Sequence, residues 1–334
     1  MIALAVLVLL AVVFDVTNGF HDSSNSVAAP VATRAMRPAV AVAVAAVFTI
    51  LGPILAGTAV ADTVGGLISV GTANTVPILL ASLMAAVTWN LLTWWWGLPS
   101  SSSHALVGGL VGAAVVVGGV GAVQWGGFEG WRPIGVVGVL VALAVSPLVG
   151  GLAGWLGEFA ARRSLRRARR GVTRSILRGE WVTSSALAFA HGTNDAQKTM
   201  GLITLALVAT GTIPSFVVPL WVKLVCAVAL TVGTSLGGWR IVRTIGRGIY
   251  RIRPLDGLMS QASSALVIGG SAALGAPVST THVVASSVVG VGAQRRWRHV
   301  RWAVVREIAL AWVVTLPACA GMAAAAAVVE RMFL

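Results

Sequence analysis

The chain has 334 residues, 57% of them hydrophobic and 10% charged, with a mean hydropathy of +0.89, proportions that exclude an ordinary soluble core and place the chain in lipid. Its net charge of +14 would suit a nucleic-acid binder, but the arginines stand in short tracts against apolar runs, without interleaved stacking aromatics, and read as topology markers. Cys226 and Cys319 both lie inside apolar segments, so neither a disulfide framework nor a metal site is expected from them.

A span needs roughly 20 apolar residues, and a chain of this length has room for about ten. The apolar runs of the first half cover 1–18, 38–60, 75–97, 99–121 and 133–158. Those of the second half cover 182–210, 216–238, 256–274, 276–293 and 303–328. The opening run, Met1 to Val13, lacks the positive n-region of a signal peptide and leads into a polar motif instead of a cleavage site, so it is expected to remain as a span. The stretch 161–179 is the linker, with arginines at 162, 163, 166, 167, 169, 170, 174 and 178. A first membrane repeat over 1–160, a basic linker over 161–180 and a second repeat over 181–334 follow.

The positive-inside rule places Arg34 and Arg37, the tract 162–178, and the basic loops 240–253 and 295–306 all in the cytoplasm. The expected protein is a multi-pass protein of the cell's inner (plasma) membrane with both termini outside. Five segments per half is an odd number, so the second half enters with the opposite orientation. The expected fold class is therefore an all-α membrane protein of two inverted-topology repeats, with re-entrant hairpins and discontinuous helices.

An internal repeat agrees with this. Pro99-Ser100-Ser101-Ser102-Ser103-His104, with Gly112 beyond it, matches Pro277-Val278-Ser279-Thr280-Thr281-His282 and Gly290 at a constant offset of 178. A shorter pair, His21-Asp22-Ser23-Ser24-Asn25 and Asn194-Asp195-Ala196-Gln197-Lys198, recurs at an offset of 173.

Ionisable residues at membrane depth cost several kcal/mol unless they face a cavity or a partner, so the few present are functional candidates. Asp22 stands with His21 and Asn25 after the first span. Asp195 stands with His191, Asn194, Gln197 and Lys198 and interrupts an otherwise apolar helix. Gly19, Gly192 and Gly201 would let the backbone unwind or let helices approach closely. The runs 99–121 and 276–293 open with Pro and hydroxyl residues and follow the previous run almost without a loop, the pattern of re-entrant hairpin tips. A half-helix starting at Ser101 or Ser279 would offer free backbone N–H groups and its positive dipole end to an oxyanion, with Ser101, Ser102, Ser103, Ser279, Thr280 and Thr281 beside it. A carboxylate next to such an anion needs a positive charge between them. Asp22 and Asp195, with Asn25 and Asn194, suit Na⁺, or the carboxylates carry protons.

His104 and His282 are expected to brace the hairpins. Asp15, Asp62 and Asp256 are expected in solvated or capping roles, and Trp94-Trp95-Trp96 as an interfacial belt or hairpin packing. An intramembrane Ser/His/Asp hydrolase is the rival enzyme reading, but duplicated hydroxyl clusters do not supply one activated serine. A passive anion channel is the other rival, and the duplicated carboxylates point instead to coupling.

At these motifs the chain resembles the inorganic phosphate transporter (PiT) family. The stretches GFHDSSNSVAAPVATRAM, TWNLLTWWWGLPSSSSHALVGGLVG, AFAHGTNDAQKTMGLI and GAPVSTTHVVASSVVGVG carry the resemblance, together about a quarter of the chain. It implies a symporter of inorganic phosphate, free or as a neutral metal–phosphate complex, driven by H⁺ or Na⁺ through alternating access, usually as a homodimer and with no further cofactor. It places Asp22, Asn25, Asn194 and Asp195 in the two Asn-Asp motifs, and Ser101, Ser102, Ser103, Ser279, Thr280 and Thr281 in the hairpin motifs. The chain departs from the pattern at His21, where the family often has Asn. This substitution leans towards H⁺ coupling at His21 and Asp22. The lack of a large soluble domain in the central loop implies a compact bacterial-type member. Some relatives carry sulfate, so a sulfate permease is the alternative within the family.

Overall fold

The computed structural model describes residues 2–69, 72–129, 132–168 and 171–333; Met1, Arg169 and Arg170 of the sequence reading lie outside the described residues. The helices are α1 (Ile2–Ala32), α2 (Pro38–Leu55), α3 (Ala59–Gly65), α4 (Thr72–Trp96), α5 (Ser102–Gly118) and α6 (Gly135–Ser164) in the first half. The second half has α7 (Val172–Ala209), α8 (Leu220–Leu236), α9 (Trp239–Arg243), α10 (Pro254–Ala273), α11 (Thr280–Arg296) and α12 (Trp302–Phe333). Two short strands, β1 (Phe128–Glu129) and β2 (Arg132–Pro133), pair antiparallel before α6.

Among the described residues α1, α2, α4, α6 and α12 are each long and apolar enough to span a membrane, and α8 with α9, bent by 58°, makes a broken span. Several expectations are corrected. The first run does not end at residue 18: α1 continues to Ala32, so the His21-Asp22 motif sits inside a helix. Nor does Asp195 interrupt its helix, because α7 is continuous over 38 residues. Backbone hydrogen bonds stay satisfied within each helix, and the polar side chains find partners across the interface instead. The run 38–60 divides into α2 and α3. The linker 161–179 is largely taken up by the end of α6 and the start of α7.

The halves interlock. α12 packs along α5 as α6 packs along α11, and α8 lies on α1 as α2 lies on α7. Each contact thus has a counterpart with the halves exchanged, which is the signature of two related repeats around a pseudo-two-fold axis. Small residues permit the closeness. A Cβ on Gly112 would lie 2.1 Å from Ala320 O, and one on Gly290 would lie 2.0 Å from Gly151 O. Gly19 and Gly192 likewise press on the backbones of α8 and α2, at Leu230 O and Thr49 O. Of the two roles open to the motif glycines, close approach is the one they serve.

The hairpins α4–α5 and α10–α11 turn through matching tips. Gly97 and Gly275, again 178 apart, hold φ of 68° and 69°, left-handed values that favour glycine. Leu98 N donates to Thr93 O and Ala276 N donates to Ser271 O, both at 2.9 Å. Each tip is braced from the other half: Thr244 Oγ1 donates to Gly97 O (3.0 Å), and Thr63 Oγ1 donates to Gly275 O (2.7 Å).

Candidate functional site

Helical spacing puts His21, Asp22 and Asn25 on one face of α1, and His191, Asn194, Asp195 and Lys198 on one face of α7. Both faces are buried, and they meet the hairpin tips between the repeats. Thr280 Oγ1 lies 3.0 Å from Asp22 Oδ2 and 3.0 Å from Asp195 Oδ2, so one hydroxyl bridges carboxylates from both halves. Thr281 Oγ1 donates to Asp22 Oδ1 (2.8 Å), and Asn25 Nδ2 donates to Thr281 Oγ1 (3.3 Å).

Lys198 is buried, 2% exposed. Its Nζ donates to Asp195 Oδ1 (2.5 Å), Ser103 Oγ (2.6 Å) and Val278 O (2.9 Å). His191 Nε2 lies 2.9 Å from Asp195 Oδ2. His21 Nδ1 lies 2.8 Å from Asp22 Oδ1, while its Nε2 contacts Thr93 Oγ1 (3.2 Å) and Ser100 Oγ (3.3 Å). Asp22, His191 and Asp195 each bring a ligand atom within 4.8 Å of the others, a donor set able to hold a cation. Asn25 Oδ1 and Asn194 Oδ1 are buried with no hydrogen-bond partner among the described residues.

The sequence-derived candidates divide by role. Asp22, Asp195, Asn25, His21, Thr280, Thr281 and Ser103 converge in this cluster. Asn194 turns its amide to Ala276 O (3.2 Å) at the second tip. Ser101 and Ser279 act as helix N-caps, accepting from His104 N (3.1 Å) and His282 N (3.3 Å). Ser102 is buried beside them and makes no hydrogen bond to either carboxylate among the described residues. The two histidines brace the tips against each other: their rings lie 4.6 Å apart, and His282 stacks on Trp312 at 3.9 Å.

Asp15 contradicts the solvated or capping expectation. It is fully buried at mid-helix and accepts from Thr199 Oγ1 (2.5 Å), tying α1 to α7. Asp256 does cap α10, through Arg253 N (3.0 Å), and also pairs with Arg162 and Arg295. Trp94 packs edge-on against Phe20 at 5.3 Å, as hairpin packing requires. Thr93 and Ser100, the partners of His21, were missed. Their hint lay in the polar positions just before the repeated Ser run.

A buried cluster of opposed carboxylates, hydroxyls and a lysine, held between interlocked inverted repeats and two re-entrant tips, defines a membrane transporter. The sequence profile of the phosphate transporter family matches residues 18–177 and 162–323, one match for each half. The chain belongs to the phosphate transporter family.

It is 44% identical over 318 residues to a protein of Mycobacterium tuberculosis (strain ATCC 25618 / H37Rv) named "Probable low-affinity inorganic phosphate transporter", covering 94% of this chain and 74% of that one. A protein of the same name from Bacillus subtilis (strain 168) is 38% identical over 330 residues, covering 98% and 96%. Among solved structures, "The sodium-dependent phosphate transporter" superposes with a TM-score of 0.88 over 100% of both chains at 23% identity, which shows the shared fold. The protein is a transporter and not an enzyme.

Proposed function

We propose that the chain is a symporter that imports inorganic phosphate by alternating access, with a cation bound between Asp22 and Asp195 as the driving ion. The bridging of both aspartates by Thr280 carries this reading: a group from each repeat meets on one tip hydroxyl, so rocking one repeat against the other opens or closes that junction. Phosphate is held by the tip residues Ser101, Ser102, Ser103, Ser279, Thr280 and Thr281 with Asn25 and Asn194. Backbone N–H groups at the starts of α5 and α11 supply the dipole end that an oxyanion prefers. In the closed cluster the tip hydroxyls rest on carboxylates. A cation at Asp22 would neutralise that carboxylate, as the Lys198 ammonium does Asp195, and free the hydroxyls for the anion.

The test is uptake of radiolabelled phosphate into proteoliposomes under an imposed pH gradient or an imposed Na⁺ gradient, each challenged with excess sulfate. Uptake driven by one gradient and resistant to sulfate supports phosphate symport and names the ion. Labelled sulfate accumulating in place of phosphate would move the substrate to the sulfate branch.

The donor set favours a second form of the substrate. One imidazole and two carboxylates suit a divalent cation better than Na⁺ alone, so a neutral metal–phosphate complex enters at the same site. Uptake that falls on chelation and returns with Mg²⁺ supports it; chelator-insensitive uptake would remove it.

For the orientation, Arg34, Arg251, Arg253 and Arg301 line a cavity of about 840 Å³ on one face. We assign that face and the 161–180 linker to the cytoplasm, both termini to the outside of the plasma membrane, and residues 1–160 and 181–334 to the two repeats. A cysteine placed at Arg163 should be labelled by an impermeant maleimide only from the cytoplasmic side. The homodimer is proposed on the family resemblance, and light scattering of the purified protein tests it.

A further inference from the structure

Lys198 breaks the chemical symmetry of the site. The offset of 173 that maps Asp22 onto Asp195 maps Asn25 onto Lys198, and the offset of 178 maps Thr281 onto Ser103. The structure forms both pairs: Asn25 Nδ2 reaches Thr281 Oγ1 at 3.3 Å, and Lys198 Nζ reaches Ser103 Oγ at 2.6 Å. A helix of one repeat meets the tip of the other in each case, which gives two related half-sites.

Their contents differ. The first half-site gathers the Asp22 carboxylate, the Thr280 and Thr281 hydroxyls and the buried Asn25 Oδ1, which has no partner among the described residues, all hard oxygen donors of the type that bind Na⁺ or Mg²⁺. In the second, the oxygens of Asp195, Ser103 and Val278 converge within 2.5–2.9 Å on the ammonium of Lys198. A lysine ammonium has three donors, and these three acceptors use all of them. No donor is left for an anion, so the geometry opposes a role for Lys198 as a phosphate ligand.

We propose that Lys198 is a tethered cation. Its ammonium occupies the second-repeat half-site where a symmetric protein would bind a mobile ion, and only the half-site at Asp22 and Asn25 exchanges its cation during transport. The proposal rests on the reading of the cluster as a cation-coupled site, and it lowers the number of travelling cations by one. The covalent ion supplies the electrostatic bridge between Asp195 and the first tip in every step of the cycle, so that bridge does not depend on the ion concentration outside.

The experiment compares the wild type with Lys198→Asn, Lys198→Gln and Lys198→Met. Na⁺ binding is measured by equilibrium titration of the detergent-purified full chain, and phosphate uptake is measured in proteoliposomes with and without Na⁺. Lys198→Asn restores the residue of the first half-site, and Lys198→Gln offers a carbonyl on a longer stem. At least one of these two is expected to bind about one Na⁺ more per chain than the wild type. Its uptake should fall about tenfold or more in Na⁺-free buffer, as loss of a buried charge partner predicts, and recover on adding Na⁺. Lys198→Met, with neither charge nor oxygen, should gain no Na⁺ and should not recover.

Folded Asn and Gln variants that bind no additional Na⁺, or that transport at wild-type rates without it, would overturn the proposal. So would failure of both to fold even with Na⁺ present, since a filled oxygen cage should replace the ammonium. Na⁺ binding is read without phosphate. A wild type that takes up no phosphate therefore breaks the symport reading, while the difference in bound Na⁺ still decides the question of Lys198.

Discussion

The two half-sites are built on one backbone plan and filled with different chemistry. At the α1 side, Asp22 is held by the hydroxyls of Thr280 and Thr281 and by the imidazole of His21. At the α7 side, Asp195 is held by an ammonium that also grips the opposite tip. Hydroxyl donors leave a carboxylate most of its negative charge, and at membrane depth that charge needs a partner for part of the cycle. A carboxylate with a buried lysine is already paired. On the proposed mechanism, the difference separates a half-site that exchanges a cation from one that transmits its consequences to the first hairpin.

The largest expected effects test that division directly. Asp22→Asn keeps the shape of the side chain and removes the charge. It should reduce gradient-driven uptake more than about 100-fold while the protein still inserts, because the coupling ion loses its carboxylate. Asp195→Asn should also abolish uptake, for a different reason: it leaves Lys198 as an uncompensated buried charge, a loss worth about 3–5 kcal/mol. Its thermal stability should therefore fall well below that of Asp22→Asn. Uptake at wild-type rates in both variants would sink the transport mechanism. Equal stability of the two would erase the distinction between the half-sites.

A smaller effect is expected at the tips. Thr280→Val removes the hydroxyl shared by both aspartates and nothing else of its shape. A buried acceptor left unsatisfied costs about 1–3 kcal/mol, so uptake should fall about tenfold or more. The counterpart substitution Ser102→Ala should lower uptake less than Thr280→Val does, since it removes one phosphate-facing hydroxyl but no hydrogen bond to either carboxylate among the described residues. Initial rates at saturating gradient decide between them. The reverse order would mean that the first tip, not the second, joins the repeats.

Much of this arrangement was legible in the sequence, because duplication leaves a regular trace. The 178-residue offset carried the hairpin tips, and the paired aspartates carried the site. Depth and direction were less legible. Hydropathy marks 1–18 as a span that ends before Asp22, yet α1 runs on to Ala32, because a polar face buried against α7 and the tip of α11 does not interrupt a helix. Asp15 looked peripheral only under that wrong boundary. The same blindness hid Glu158 and Glu180, fully buried in stretches that composition assigns to the edge of the linker. The destination of Lys198 could not be read at all, since its three acceptors are contributed by α7 and both hairpin tips. His21 was singled out as a departure, but its partners Thr93 and Ser100 lie 72 and 79 residues away.

The smallest effect sharpens the comparison at the level of the backbone. Gly97 and Gly275 adopt the same left-handed conformation at equivalent positions of the two tips. An alanine in that conformation costs roughly 1–2 kcal/mol at either site. The surroundings differ, however. A Cβ on Gly97 would meet Arg240 Cβ at 3.7 Å, an ordinary contact, whereas one on Gly275 would meet Ala59 O at 3.0 Å. Gly97→Ala should therefore lower the thermal midpoint of the purified protein by the backbone strain alone, and Gly275→Ala should lower it further, because the main chain of α3 cannot yield as a side chain does. Uptake should follow the same order, since α3 braces the second tip through Thr63 and that tip carries Thr280. If Gly97→Ala proves the more damaging, the first tip and its brace at Thr244 bear more of the load than the geometry assigns them, and the asymmetry argued from Lys198 would have to extend to the hairpin backbones.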